Sequence, residues 1–121
     1  MPQTHKILIV DDDVLTLRIM KFMLGKEYST VTAESGMQAM EEIKKNRPDL
    51  ILLDYQMPEC DGRQTLAMIR REESMKNIPV IFLTGTEEAE KIEEIKNLHP
   101  AGYLMKPPVK EKLLAEIRRI L

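Results

Sequence analysis

Three consecutive carboxylates, Asp11, Asp12 and Asp13, follow the apolar run KILIV at residues 6–10, and Asp54 closes the run DLILL at 49–53. Further along, Thr84-Gly85-Thr86 closes PVIFL at 79–83, and Lys106-Pro107-Pro108 closes GYLM at 102–105. Two carboxylates ~4 Å apart at an effective dielectric near 20 repel by about 4 kcal/mol, and Lys106 alone cannot balance three of them. An oxygen-only cluster with excess negative charge and no His or Cys suits a hard divalent cation; partial coordination by carboxylates, with water and a phosphate completing the shell, is what Mg²⁺ prefers. A metal would also let a phosphate dianion approach an acidic site. Asp54 is then the natural nucleophile, because carboxylates form acyl phosphates. The metal with Lys106 could neutralise the transferring oxygens, Thr84 offers a hydroxyl to one of them, and Gly85 leaves space beside it.

Those residues converge only if the apolar runs are neighbouring strands that end at one edge. KILIV, STVTA (29–33), DLILL, PVIFL and GYLM are short and mostly non-alternating, the pattern of strands buried on both faces. Between them lie apolar residues at helical spacing: Leu17, Met20 and Leu24; Ala39, Met40 and Ile43; Leu66, Met68 and Ile69; Ile92, Ile95 and Leu98; Leu113, Leu114, Ile117 and Leu121. Ser35 with Gln38 and Asp61 with Gln64 have capping-box spacing, and Thr86 before Glu87 and Glu88 suits another helix start. Pro48, Pro79 and Pro100 punctuate the approaches to later strands. Five strand–helix alternations predict an α/β fold: a doubly wound (βα)5 sandwich with a parallel sheet, helices on both faces and right-handed crossovers. With the flavodoxin-like order 2-1-3-4-5, the ligand crevice lies beyond the carboxyl ends of strands 1 and 3, where the acidic residues fall.

The 121 residues, 43% of them apolar, can bury one core without disulfide or metal staples, so residues 1–121 are read as one domain. A lone Cys60, together with the lack of a signal-peptide pattern at MPQTHK, favours a cytoplasmic setting. A net charge of −2 with mixed signs gives no footprint for direct nucleic-acid binding, and no apolar run approaches membrane-spanning length. The nine methionines are expected to fill core gaps, and the Glu- and Lys-rich stretch EEAEKIEEIKNL to present a solvated face.

ILIVDDD, LLDYQMPECDG, IFLTGT and AGYLMKP resemble, in order and spacing, the signature segments of response-regulator receiver domains, and the resemblance covers essentially the whole chain. It implies a phosphorylation-activated switch of two-component signalling, a signalling domain that catalyses its own phosphorylation and dephosphorylation. Asp54 would be the phosphoacceptor. Asp12 and Asp54 would bind Mg²⁺ directly, Asp11 through water, and the Gln56 carbonyl would add a ligand. Thr84 and Lys106 would contact the phosphoryl group. Tyr103 matches an aromatic switch position whose rotamer follows Thr84, and Gln56 and Thr86 match positions that tune the phosphoryl lifetime. The Lys106-Pro107 bond, often cis in the family, is left open by the sequence.

The implied donor is a sensor histidine kinase or phosphotransfer protein, with acetyl phosphate as a small substitute. The implied output face, toward an unidentified protein target, is formed by the fourth helix, fifth strand and fifth helix. Phosphorylation-linked homodimerisation through that face is a further implication. With no output domain after the fifth helix, the chain reads either as a stand-alone regulator or as a receiver from a larger protein.

ILIVDDDVLT also resembles the opening motif of haloacid-dehalogenase-type phosphatases, with Asp11 as nucleophile and Asp13 as acid/base. That alternative leaves Asp54 without a role and lacks room for the later acidic pair. A flavin-binding domain is disfavoured because the loop after the first strand lacks a glycine- and hydroxyl-rich phosphate cradle. The full set Asp11, Asp12, Asp54, Thr84 and Lys106 disfavours a non-phosphorylated interaction module. Taken alone, the bland readings are an N-cap and a solvated turn for Asp11 to Asp13, and a half-buried strand residue for Tyr103.

Overall fold

Successive residues of a strand point to opposite sheet faces, so each unbroken apolar run carries two interleaved sets of core side chains. The computed structural model describes residues 5–57, 61–85 and 89–121. In it the runs form β1 (Lys6–Val10), β2 (Ser29–Ala33), β3 (Leu50–Asp54), β4 (Val80–Thr84) and β5 (Gly102–Met105). Between and after them come α1 (Val14–Leu24), α2 (Gly36–Lys45), α3 (Gly62–Arg71), α4 (Ala89–Asn97) and α5 (Lys110–Ile120). The strands pair in parallel in the order β2-β1-β3-β4-β5, the doubly wound, flavodoxin-like arrangement expected from the alternation.

Both faces are covered. Leu8, Val10, Ile51, Leu53, Val80 and Phe82 pack with Ala39 and Ile43 of α2, Leu66 and Ile69 of α3, and Ile95 of α4. On the other face Ile7, Ile9, Leu50, Leu52, Ile81 and Leu83 meet Leu17, Met20 and Leu24 of α1, and Leu113, Leu114 and Ile117 of α5. The two-sided burial expected for all five strands holds for β1, β3 and β4; β2 and β5 are only partly buried, because the strand order makes them the edges. Met20, Met57 and Met75 fill core positions, whereas Met37 is exposed.

The third and fourth strands run one residue later than the apolar runs suggest. The Asp49 carboxylate accepts the Lys6 N–H at 2.7 Å ahead of β3, and Pro79 contributes only its carbonyl, to Ile51. At the other end Asp54 pairs with Leu83 and Thr84 with Met105, so the two polar residues are themselves the last rungs of the ladder. Their backbones are thereby fixed by sheet hydrogen bonds rather than by loops.

Helix starts follow the predicted chemistry with one variation. Asp61 and Gln64 form a reciprocal capping box at α3. Ser35 caps α2 through the Gln38 N–H at 3.1 Å, but the Gln38 side chain reaches back to the Glu34 N–H instead. The expected start at Thr86-Glu87-Glu88 and Cys60 lie outside the described residues. Leu98 and Leu121 fall just past α4 and α5; Leu98 still packs, partly buried, against the core, whereas Leu121 is exposed. Among the described residues, no helix is long and apolar enough to cross a membrane.

Candidate functional site

Val10 pairs with Leu53 in the parallel register, so Asp11, just past β1, lies beside Asp54, the last residue of β3. The chain passes from β1 to β2 on one flank, while β3 lies on the other; the loops part there and open the crevice expected at a change of strand order. The Asp11 and Asp54 side chains are only 1% and 4% exposed. Lys106 reaches over from the end of β5, its N–H bonded to the Thr84 carbonyl at 2.8 Å, and its Nζ donates to Asp11 Oδ2 at 2.8 Å. The same Nζ lies 3.4 Å from Asp54 Oδ1, which also accepts the Gln56 backbone N–H at 3.3 Å.

Asp11, Asp12 and Asp54 each offer a carboxylate oxygen within 4.8 Å of the others, Asp12 from an exposed position. One ammonium against three carboxylates leaves a formal excess of negative charge. This small, oxygen-only, partly solvated donor set fits Mg²⁺. Asp13 is not part of the cluster: it caps α1, its Oδ1 accepting the Leu15 N–H at 3.1 Å and its Oδ2 the Thr16 hydroxyl at 2.8 Å. Those bonds, the Thr16 hydroxyl first, hold its carboxyl below the ordinary range, which ill suits the acid/base role of the phosphatase alternative. The triple aspartate thus divides into two members of the site and one helix cap.

Burial, reinforced by the Asp11 charge and opposed by Lys106, pushes the Asp54 carboxyl up to about 7. Burial pulls the Lys106 ammonium down, but its bond to Asp11 and the nearby Asp54 charge outweigh that and leave it raised. The sign of the pH dependence follows. An unfolded aspartate titrates near ~3.9, so between about pH 4 and 7 the native chain binds more protons at Asp54 than the unfolded chain does. The stability contributed below that window is lost as pH rises through it. In EDTA, Asp54→Asn should therefore stabilise the protein by about 2 kcal/mol at pH 8 and by far less at pH 4.5, as read by urea denaturation. Equal effects at both pH values would contradict the assigned cause.

Thr84 is buried at the end of β4, and Tyr103 pairs with Phe82 on the adjacent strand. Residues 82 and 84 share a sheet face, so Tyr103 lies on the same face as Thr84 and diagonal to it. It packs, partly buried, against the core cluster containing Phe82 and Ile95. Gln56 immediately follows the Asp54-Tyr55 step with its side chain exposed. Thr86 is outside the described residues. The Lys106-Pro107 peptide is cis.

Residues 7–118 match the family model of the response regulator receiver domain. The chain belongs to the response regulator receiver family. It is 28% identical over 119 residues to the polar-differentiation response regulator DivK of Brucella ovis, covering 98% of this chain and 97% of that protein. Among solved structures, chemotaxis protein CheY4 of Vibrio cholerae superposes with a TM-score of 0.91 at 31% identity, covering 98% of this chain and 100% of that one. The signal receiver domain of a histidine kinase from Syntrophus aciditrophicus gives 0.89 at 28% identity, with 98% and 90% covered.

This receiver is accordingly a signalling domain of two-component systems, a phosphorylation-controlled switch that works with histidine kinases or phosphotransfer proteins and downstream targets. These relationships give no support to the phosphatase alternative. Receivers typically hold Mg²⁺ in an acidic pocket, and Asp11, Asp12 and Asp54 form such a pocket here.

Two features of the site carried no role in the sequence. Gly62 at the start of α3 lies directly beneath the end of β3: a Cβ there would fall 2.5 Å from the Asp54 carbonyl oxygen and 2.8 Å from the Tyr55 Cα. The Tyr55 hydroxyl donates to Glu94 of α4, a pairing across 39 positions. Neither contact has a local signature, because each depends on how a helix sits against the sheet.

Proposed function

We infer that Asp54 of this receiver is the phosphoacceptor and that the chain's own residues promote the transfer. One observation carries the reading: a buried aspartate at the crevice shares a lysine with a second buried aspartate, both beside an exposed third. An Asp54 oxygen attacks phosphorus, the bond from phosphorus to the donor nitrogen or oxygen breaks, and an acyl phosphate forms. Lys106 holds Asp11 in place and offers a positive charge to the developing phosphoryl oxygens, while the Gln56 N–H orients the Asp54 carboxylate. Thr84 would supply a hydroxyl to the phosphoryl group, with Tyr103 following it, and Gln56 and Thr86 would set the lifetime of the adduct. Mg²⁺ held by Asp12 and Asp54, by Asp11 through water and by the Gln56 carbonyl would supply the charge that lets a phosphate approach three carboxylates.

A histidine kinase or phosphotransfer protein is the proposed donor, in a cytoplasmic setting. The α1 helix beside the crevice exposes Val14, Leu15, Ile19 and Phe22, the last 85% exposed, an apolar stripe suited to a protein donor. Output would run through α4, β5 and α5, on which Tyr103 lies.

The test is intact-mass analysis after incubation with acetyl phosphate. A gain of one phosphoryl group that requires Mg²⁺ and disappears in Asp54→Ala is the expected result. An adduct that survives Asp54→Ala would move the nucleophile elsewhere, with Asp11 the next suspect.

A further inference from the structure

Burial anchors the helices unequally. Ile95 is the one fully buried side chain in α4, whereas α1, α2 and α5 each bury three residues and α3 buries four. Elements with so little buried surface open most readily. A polar chain compensates. Tyr55, the residue after Asp54, is held on three sides: its N–H bonds the Leu83 carbonyl at 2.8 Å, its carbonyl accepts the Gly62 N–H at 3.1 Å, and its ring meets Phe82 edge-on at 5.2 Å. From that fixed position its hydroxyl, on a side chain of a residue only 5% exposed, donates to Glu94 Oε1 of α4. Arg63 of α3 lies 3.5 Å from the same oxygen.

We propose that the Tyr55–Glu94 bond is a tether that holds α4 to the segment following the phosphoacceptor, so that movement of α4 on phosphorylation must break it. Tyr55 is fixed by backbone and ring whether or not the tether forms, and the loosely anchored α4 is the partner that it controls. The Arg63 pair is exposed and adds little by itself, but it keeps the Glu94 carboxylate facing Tyr55. This is a second route between the crevice and α4, separate from Thr84 and Tyr103. It rests on the proposed phosphorylation of Asp54 and output through α4.

Tyr55→Phe keeps the ring on Phe82 and removes only the hydroxyl; Glu94→Met keeps a side chain of similar length and removes the acceptor. Each should raise amide hydrogen exchange across 89–97 about fivefold, with α1 unchanged and the double variant no further affected, because both remove the same bond. Uptake of phosphoryl from acetyl phosphate should become about threefold faster in all three variants, since rearranging α4 no longer breaks the tether. A merely structural role would not quicken uptake. Unchanged exchange in α4, or effects that add in the double variant, would overturn the tether; faster exchange with unchanged or slower uptake would overturn its coupling to phosphorylation. Wild-type protein that takes up no phosphoryl group would instead refute the assignment of Asp54, while the exchange data would still decide the tether.

Discussion

Lys106→Met should slow phosphorylation of Asp54 by acetyl phosphate by two to three orders of magnitude, the loss typical when one charge-stabilising donor is removed from a preorganised site. Two effects combine. The Lys106 ammonium stands 2.8 Å from Asp11 and 3.4 Å from Asp54, both nearly inaccessible to solvent. Without it the two carboxylates face each other with less compensation, which pushes the Asp54 carboxyl, already raised to about 7 in the metal-free protein, further up. A protonated carboxyl is a poor nucleophile. The second effect is the missing positive charge on the transferring oxygens.

Lys106→Arg should recover only part of the rate, because a planar fork does not reproduce a compact ammonium between two carboxylates. Intact-mass time courses at saturating Mg²⁺ measure all three proteins. A rate for Lys106→Met within threefold of wild type would show that the lysine holds the fold rather than the reaction. Circular dichroism of each variant separates loss of fold from loss of chemistry.

The second large effect is expected at Gly62. Helix propensity alone favours alanine over glycine by about 1 kcal/mol, so by local reasoning Gly62→Ala would stabilise α3. The tertiary contacts reverse the sign. A Cβ would fall 2.5 Å from the Asp54 carbonyl oxygen, 2.8 Å from the Tyr55 Cα and 3.1 Å from Phe82. The first two are backbone atoms at the end of a central strand, with no rotamer to yield. We expect Gly62→Ala to lose about 2–3 kcal/mol in urea denaturation, the cost of overpacking a well-filled interior. Phosphorylation should slow with it, because relief of the clash displaces the phosphoacceptor's own backbone. Gly85→Ala is the control for stability: a Cβ there meets nothing within 4 Å, and its effect should stay within about 0.5 kcal/mol. Stabilisation by Gly62→Ala would mean that α3 stands farther from β3 than its position here.

Much of this was legible in the sequence because it is local. Strand and helix periodicities are set by where Cβ atoms point, so KILIV and the Leu17–Met20–Leu24 spacing specify their elements without reference to the rest of the chain. The Asp61/Gln64 box is likewise complete within four residues. Strict alternation of elements narrows the topology to a parallel, doubly wound sheet, and that topology puts everything following β1, β3, β4 and β5 at one edge. Hence Asp11, Asp12, Asp54, Thr84 and Lys106 could be grouped as a site although they span 96 positions.

What the sequence by itself determined, then, was the fold class, the edge that bears the chemistry and the residue types gathered there. The tertiary structure decided how that chemistry is arranged. Asp11, Asp12 and Asp13 are the same residue type in a row; their division into a buried lysine partner, an exposed member of the acidic cluster and a helix cap depends on where β1 ends relative to Lys106 and Leu15. The last rungs at Asp54 and Thr84 depend on pairing with neighbouring strands. Gly62 beneath Asp54, and Tyr55 against Glu94, depend on the seating of α3 and α4 on the sheet. The physical reason is range: dihedral preference and side-chain direction act over a few residues, whereas burial, close approach and charge pairing are properties of distance in space, which exist only once the chain has folded.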